Sequence, residues 1–191
     1  MHLWSLSVEE QFYIFFSVFI FFIYKFFKNK ILFSLILFFL MSLFLSDFMT
    51  KYNPALSFYF THTRIWELLA GAILAHAKIS NLSENKSKFM NEIMPFLGIN
   101  LIFFSFFFFG KDTPHPSFFT LITVVGTCLI IWYSNSHSFV NNILKSKIFV
   151  GTGLLSYSLY LWHFPIFAFA RITEFASGNF LYKICLAVLV L

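Results

Sequence analysis

Charge is what this sequence has least of: 11% of its 191 residues are Asp, Glu, Lys or Arg, where a soluble domain carries about a quarter. That scarcity excludes an ordinary water-soluble globule. Cysteine is scarce too, and Cys128 and Cys185 both fall inside apolar runs. They read as small buried hydrophobes, without the close spacing that a metal site or a disulfide framework needs. Clearly hydrophilic linkers are nearly missing, the exception being KISNLSENKSKFMNE at 78–92, and the chain shows no internal repeat and no domain boundary. The net charge of +5 comes from lysines in short loops. It therefore reports topology and makes no case for nucleic acid.

What the chain has instead is hydrocarbon: 59% hydrophobic residues, 32 of its residues Phe. Runs such as IFFSVFIFFIYKFF are apolar on every face, whereas transmembrane strands alternate with period two. The predicted fold class is an all-α, polytopic transmembrane helical bundle. Seven apolar segments stand out, at 9–27, 30–48, 63–77, 94–109, 117–133, 149–170 and 179–191, with YNPALSFYFTHT before the third read as interfacial. The last, NFLYKICLAVLVL, would reach roughly 20 Å into a hydrocarbon core of about 30 Å. Met1, in turn, stands almost on a polar cluster. Both ends read as cut, so the expectation is a piece of a larger membrane protein.

Basic residues give the orientation. Lys25, Lys28, Lys30, Lys78, Lys86, Lys88, Lys145 and Lys147 fall on one side, against Lys51, Lys111 and Arg171 in the opposite loops. The positive-inside rule puts the first group in the cytoplasm and residue 1 outside. His2, Glu9 and Glu10 then lie at the outer end of the first helix, and His62, Arg64 and Glu67 at the outer end of the third. His163 is 14 residues into the sixth segment, roughly 21 Å along it by helix rise. Ionisable groups in a bilayer usually face a bundle interior or a cavity, so a pocket shared by these three helices is expected.

Each residue also has a structural reading. In SVEE, Ser7 is placed as N-cap with Glu10 reaching back to it as a capping box, which leaves Glu9 as the carboxylate free for chemistry. Arg64 and Glu67, spaced i,i+3, either neutralise one another or line a site. Ser156, Tyr160 and His163 follow an i, i+4, i+7 row on one helix face, and Pro165 is a possible kink. Trp4 and Trp66 stack on a sugar or anchor at the interface. His62, His115, Asp47 and Asp112 are expected to be solvated.

The stretches HLWSLSVEEQFY (2–13), TRIWELLAGAILA (63–75) and LLSYSLYLWHFPI (154–166) resemble the integral-membrane acyltransferase 3 family in order, spacing and sidedness, and the resemblance covers essentially the whole chain. It implies a bacterial inner-membrane O-acyltransferase domain occupying 1–191, with three spans missing before Met1. Such a protein moves acetyl or another short acyl group onto hydroxyls of lipopolysaccharide, peptidoglycan or a lipid-linked saccharide. Acyl-CoA is the implied co-substrate, with no tightly bound cofactor and no metal. The family's histidine, eleven residues after an arginine, has no counterpart here, since Ala75 follows Arg64 at that spacing and Tyr182 follows Arg171. The expected general base thus belongs to a missing helix. Glu9 orients it, while Arg64, Glu67, Tyr160, His163, Ser156 and Trp4 bind substrate or steady transition-state charge. A transporter or flippase of a lipid-linked sugar, or a non-catalytic remnant, are the competing readings.

Overall fold

The computed structural model describes residues 4–80, 88–110, 113–133 and 139–172. The chain divides into two compact units, one of Trp4–Asn141 and one that includes Asn142–Leu191. The first unit holds α1 (Trp4–Phe27), α2 (Ile31–Tyr52), α3 (Pro54–Tyr59), α4 (Ile65–Ile79), α5 (Lys88–Phe108) and α6 (Phe118–Tyr133). The short α7 (Phe139–Leu144) spans the division, and α8 (Lys147–Ile172) belongs to the second unit.

The architecture is all-α, that of a transmembrane helical bundle. Three helices among the described residues are long and apolar enough to cross a membrane: Ser5–Phe27, Ile31–Tyr52 and Phe89–Phe108. α4 and α6 stand where spans are expected but are shorter, with 15 and 16 residues, or about 22–24 Å of rise against a core of about 30 Å. The segment 179–191 lies outside the described residues. Large side chains such as Phe15, Phe21, Phe33, Phe44, Phe106 and Leu154 stay exposed. In water such faces would aggregate, whereas in a bilayer they meet acyl chains at no cost.

Phe12 of α1, Leu35 of α2 and Leu69 of α4 form the buried core, with Phe16, Phe19, Phe39 and Ile65 packed around them. α5 and α6 make the most extensive helix pair, and small residues explain it. A Cβ built on Gly98 would stand 2.5 Å from the Gly126 carbonyl oxygen and 2.8 Å from Ile130 Cγ1, and one on Gly126 2.8 Å from the Gly98 oxygen. The two backbones touch there, as membrane helices do wherever glycines face each other. Lys78, in the last turn of α4, donates from Nζ to the Ile131 carbonyl at 2.9 Å, satisfying an acceptor that the end of α6 leaves open.

One expectation about an element end needs correction. Ser7 and Glu10 lie inside α1, which is already helical from Trp4, so no capping box forms at SVEE. Ser7 Oγ instead accepts from Gln11 Nε2 at 3.3 Å. The stretch 52–63, read as interfacial, carries helical structure of its own. Asn53 Oδ1 accepts from the Leu56 N–H at 3.3 Å and, with Pro54 behind it, starts α3 as a side-chain cap followed by a pre-set φ. The chain then runs back alongside α2, because Ser42 Oγ donates to the His62 carbonyl at 2.6 Å. Ser42 is ten residues before Tyr52, about 15 Å of helix rise.

Candidate functional site

That return path places the charged residues of α4. The sequence reading puts Arg64 and Glu67 near the outer end of their helix, facing a shared pocket. In the structure α4 begins at the level of Ser42, whose Oγ also accepts from the Trp66 N–H at 3.2 Å. Arg64 and Glu67 thus sit beneath the end of α2, with their side chains 16% and 27% exposed.

Arg64 Nε lies 3.8 Å from Glu67 Oε1, close enough for charge attraction and too long for a hydrogen bond. Its Nη2 lies 3.2 Å from His115 Nε2. A guanidinium only donates, so His115 accepts through Nε2 and its neutral ring carries the proton on Nδ1. The guanidinium also lies over the Phe58 ring at 5.2 Å, a cation–π contact. Phe58 meets His115 edge-on at 6.1 Å. His115 is exposed, as expected, and it also completes the cluster across 51 residues of sequence. Partial burial, and secondarily the Arg64 charge, push its imidazole below the ordinary range. The stability tied to neutral His115 is therefore present above the ordinary imidazole value and is lost as pH falls from there through the lowered one.

Trp66 is completely buried, edge-on to Phe39 at 6.1 Å, so it cannot stack on a sugar. Among the described residues, Trp66 Nε1 and Glu67 Oε1 are buried without a hydrogen-bond partner. Burial without a partner costs about 1–3 kcal/mol, and folds keep few such groups.

On α1, Glu9 and Glu10 are exposed. The α1 residue that reaches the returning segment is Gln11, whose Oε1 accepts from Thr61 Oγ1 at 2.5 Å. Trp4 opens α1, and its side chain lies outside the described residues. Asp47, also expected to be solvated, is paired with Lys51 at 2.6 Å. Asp112 and His2 lie outside the described residues. A predominantly apolar groove of about 920 Å3 follows α2 from Phe38 to Lys51, with His62 and Ile65 on its wall.

The second unit holds its own row. On α8, His163 Nδ1 donates to the Leu159 carbonyl at 3.1 Å, which fixes the tautomer and makes Nε2 the basic nitrogen of the neutral ring. The Tyr160 ring lies 5.8 Å from it, and Ser156 Oγ donates to the Gly153 carbonyl at 2.7 Å. The expected kink at Pro165 does not interrupt the helix, which runs on to Ile172.

Comparison with known proteins agrees with the motifs. A protein of Staphylococcus aureus (strain COL), provisionally named an O-acetyltransferase, is 31% identical over an alignment of 180 positions that covers 89% of this chain and 30% of the relative. Peptidoglycan O-acetyltransferase OatA of Listeria monocytogenes is 29% identical over 86% of this chain and 28% of its own. A Bacillus subtilis (strain 168) protein, provisionally named a peptidoglycan O-acetyltransferase, is 27% identical over 99% and 32%. The chain thus spans about a third or less of the length of these relatives. No solved structure matches it. The model of a family described as "Acyltransferase domain" matches residues 1–191, and with a match along its whole length the chain belongs to the acyltransferase 3 family.

Proposed function

We propose that this chain is part of a membrane O-acyltransferase that moves an acetyl or short acyl group from acyl-CoA to a hydroxyl of a cell-surface glycan. The observation that carries the reading is the Arg64–Glu67–His115 cluster, held beneath the end of α2 in a chain of an acyltransferase family. The relatives' names favour oxygen as the acceptor atom, acetyl as the group and peptidoglycan as the glycan. A lipopolysaccharide or lipid-linked saccharide would present the same hydroxyl chemistry.

In the proposed reaction the acceptor oxygen attacks the thioester carbonyl while a base takes its proton. The tetrahedral oxyanion then collapses, expelling the CoA thiolate, which takes up a proton as it leaves. Arg64 is the fixed cation beside the developing oxyanion. Glu9 orients the base histidine of the family's first helix, as a carboxylate orients a triad histidine. His163 with Tyr160 and Ser156 binds polar groups of acceptor or donor. Glu9 is exposed on α1, and exposed substitutions change stability by about 0.5 kcal/mol or less. Glu9→Gln in the full-length protein should therefore abolish glycan acylation while membrane insertion stays normal. Undiminished acylation would remove Glu9 from the mechanism.

The site is proposed to face outward in a bacterial cytoplasmic membrane. In a background of Cys128→Ala and Cys185→Ala, Thr113→Cys should react with an impermeant maleimide added to intact cells, and Ser80→Cys should not. The reverse pattern would invert the topology. One feature favours a second reading. The break between α3 and α4 resembles the discontinuous helices of transporters, and a flippase would move a lipid-linked sugar without incorporating acyl label.

A further inference from the structure

A hydroxyl inside an apolar helix usually bonds its own backbone one turn earlier. Ser17 does so to the Tyr13 carbonyl, Ser105 to Leu101 and Thr127 to Thr123. Ser42, Ser46 and Thr50 of α2 do not. Spaced i, i+4, i+8 on one face, all three are buried, and each reaches backbone outside α2. Ser42 takes the His62 carbonyl. Ser46 Oγ and Thr50 Oγ1 both donate to the Pro116 carbonyl, at 3.1 and 2.6 Å. With Thr50 donating there, Ser57 Oγ of α3 donates to Thr50 Oγ1 at 2.7 Å. The Ser57 carbonyl in turn accepts from Thr63 Oγ1 at 2.6 Å, beside Arg64. Thr50 is thus the node from which one branch runs to Arg64 and the other to His115.

We propose that Ser46 and Thr50 are positioning residues, which set His115 on the Arg64 guanidinium by holding the Pro116 carbonyl. Pro116 follows His115 directly and is itself fully buried. Its other neighbour is fixed as well. Ser117 Oγ donates to the Pro114 carbonyl at 2.6 Å and accepts from the Phe119 N–H at 3.2 Å, tying the loop to the start of α6. With the peptide held on both sides, the backbone of His115 is fixed where its exposed imidazole meets Arg64. Buried backbone carbonyls need a hydrogen-bond partner, and the α2 hydroxyls supply one to Pro116.

The inference rests on the acyl-transfer reading for its functional consequence, so the test needs one readout that ignores activity. Diethyl pyrocarbonate modifies neutral imidazole, and site-resolved mass spectrometry on the full-length membrane protein reads His115, whose Nε2 is engaged by Arg64, against the equally exposed His62 as internal reference. In Ser46→Ala/Thr50→Val, carbethoxylation of His115 should rise about tenfold, the order expected on losing a hydrogen-bonded hold, with His62 unchanged. kcat for acyl transfer should fall by a similar factor while KM holds. Thr50→Ser, which keeps the hydroxyl, should match wild type in both, and Ser46→Ala alone should be intermediate. Unchanged His115 reactivity in the double variant overturns the clamp, as does Thr50→Ser behaving like Thr50→Val. Raised reactivity with unaltered kcat overturns its role in turnover. If the unmodified protein shows no acyl transfer, the functional reading fails, and the carbethoxylation rates still decide the clamp.

Discussion

Arg64→Ala in the full-length protein is expected to lower acyl transfer by at least about a hundredfold, the scale on which losing one fixed charge-stabilising donor acts. The same change removes the cation 3.8 Å from Glu67 and the donor to His115. Truncating one partner of a buried pair costs about 3–5 kcal/mol, because the other charge is left uncompensated. At 27% side-chain exposure, Glu67 would suffer a reduced form of that penalty, and protein yield should drop. Adding Glu67→Gln removes the stranded charge. The double variant Arg64→Ala/Glu67→Gln should thus recover membrane abundance while staying inactive. Arg64→Lys should stay impaired, since an ammonium cannot stack on Phe58 and fork towards two partners as a guanidinium does. Acyl incorporation measured against immunoblotted protein separates the two effects. Restored activity in the double variant would reduce Arg64 to a structural ion.

Gly98→Leu is expected to separate α5 from α6. Even Gly98→Ala puts a methyl 2.5 Å from the Gly126 carbonyl oxygen and 2.8 Å from Ile130 Cγ1. The first of these obstacles is backbone, which cannot rotate away. Overpacking of this kind costs about 1–3 kcal/mol for an added methyl and more for a larger side chain. Gly71→Ala is the control. Nothing lies within 4 Å of a Cβ there, and in the interior of α4 alanine should be better than glycine by about 0.5–1 kcal/mol. Thermal unfolding in detergent should show a lowered midpoint for Gly98→Ala, a greatly lowered one for Gly98→Leu, and an unchanged or raised one for Gly71→Ala. Equal behaviour of Gly98→Ala and Gly71→Ala would contradict the close approach.

The helices were legible because burial in lipid demands long apolar runs, and six of the seven segments meet a helix in the structure. The pairing of Arg64 with Glu67 was legible from i,i+3 spacing alone. The route that buries them was not. Asn53–Thr63 reads as an interfacial stretch, and nothing local shows it folding back, because its partner Ser42 belongs to a different helix. His115 escaped notice for the same reason: a histidine between two prolines looks like a surface loop until Ser46 and Thr50 are seen holding Pro116. The row Ser42, Ser46, Thr50 was not read from the sequence, because hydroxyls commonly satisfy themselves within a helix and spacing alone names no partner. Gly98 and Gly126 lie on different helices, and no motif announced their contact. Ser7 misled in the opposite direction, since a capping signature in a membrane helix is also simply serine followed by glutamate.

The Pro116 clamp also constrains the order in which the protein is built. Ser46 and Thr50 precede their acceptor by 70 and 66 residues, so α2 is synthesised and inserted well before the carbonyl it will hold exists. In the interval its hydroxyls can turn back onto carbonyls of their own helix, as Ser17 and Ser105 do permanently, so the ribosome never delivers a stranded polar group to the lipid. Joining the loop to α2 is then an exchange of one hydroxyl partner for another. It closes only when the start of α6 has been made, so the cluster around Arg64 is assembled after α2 and α4 are already in place.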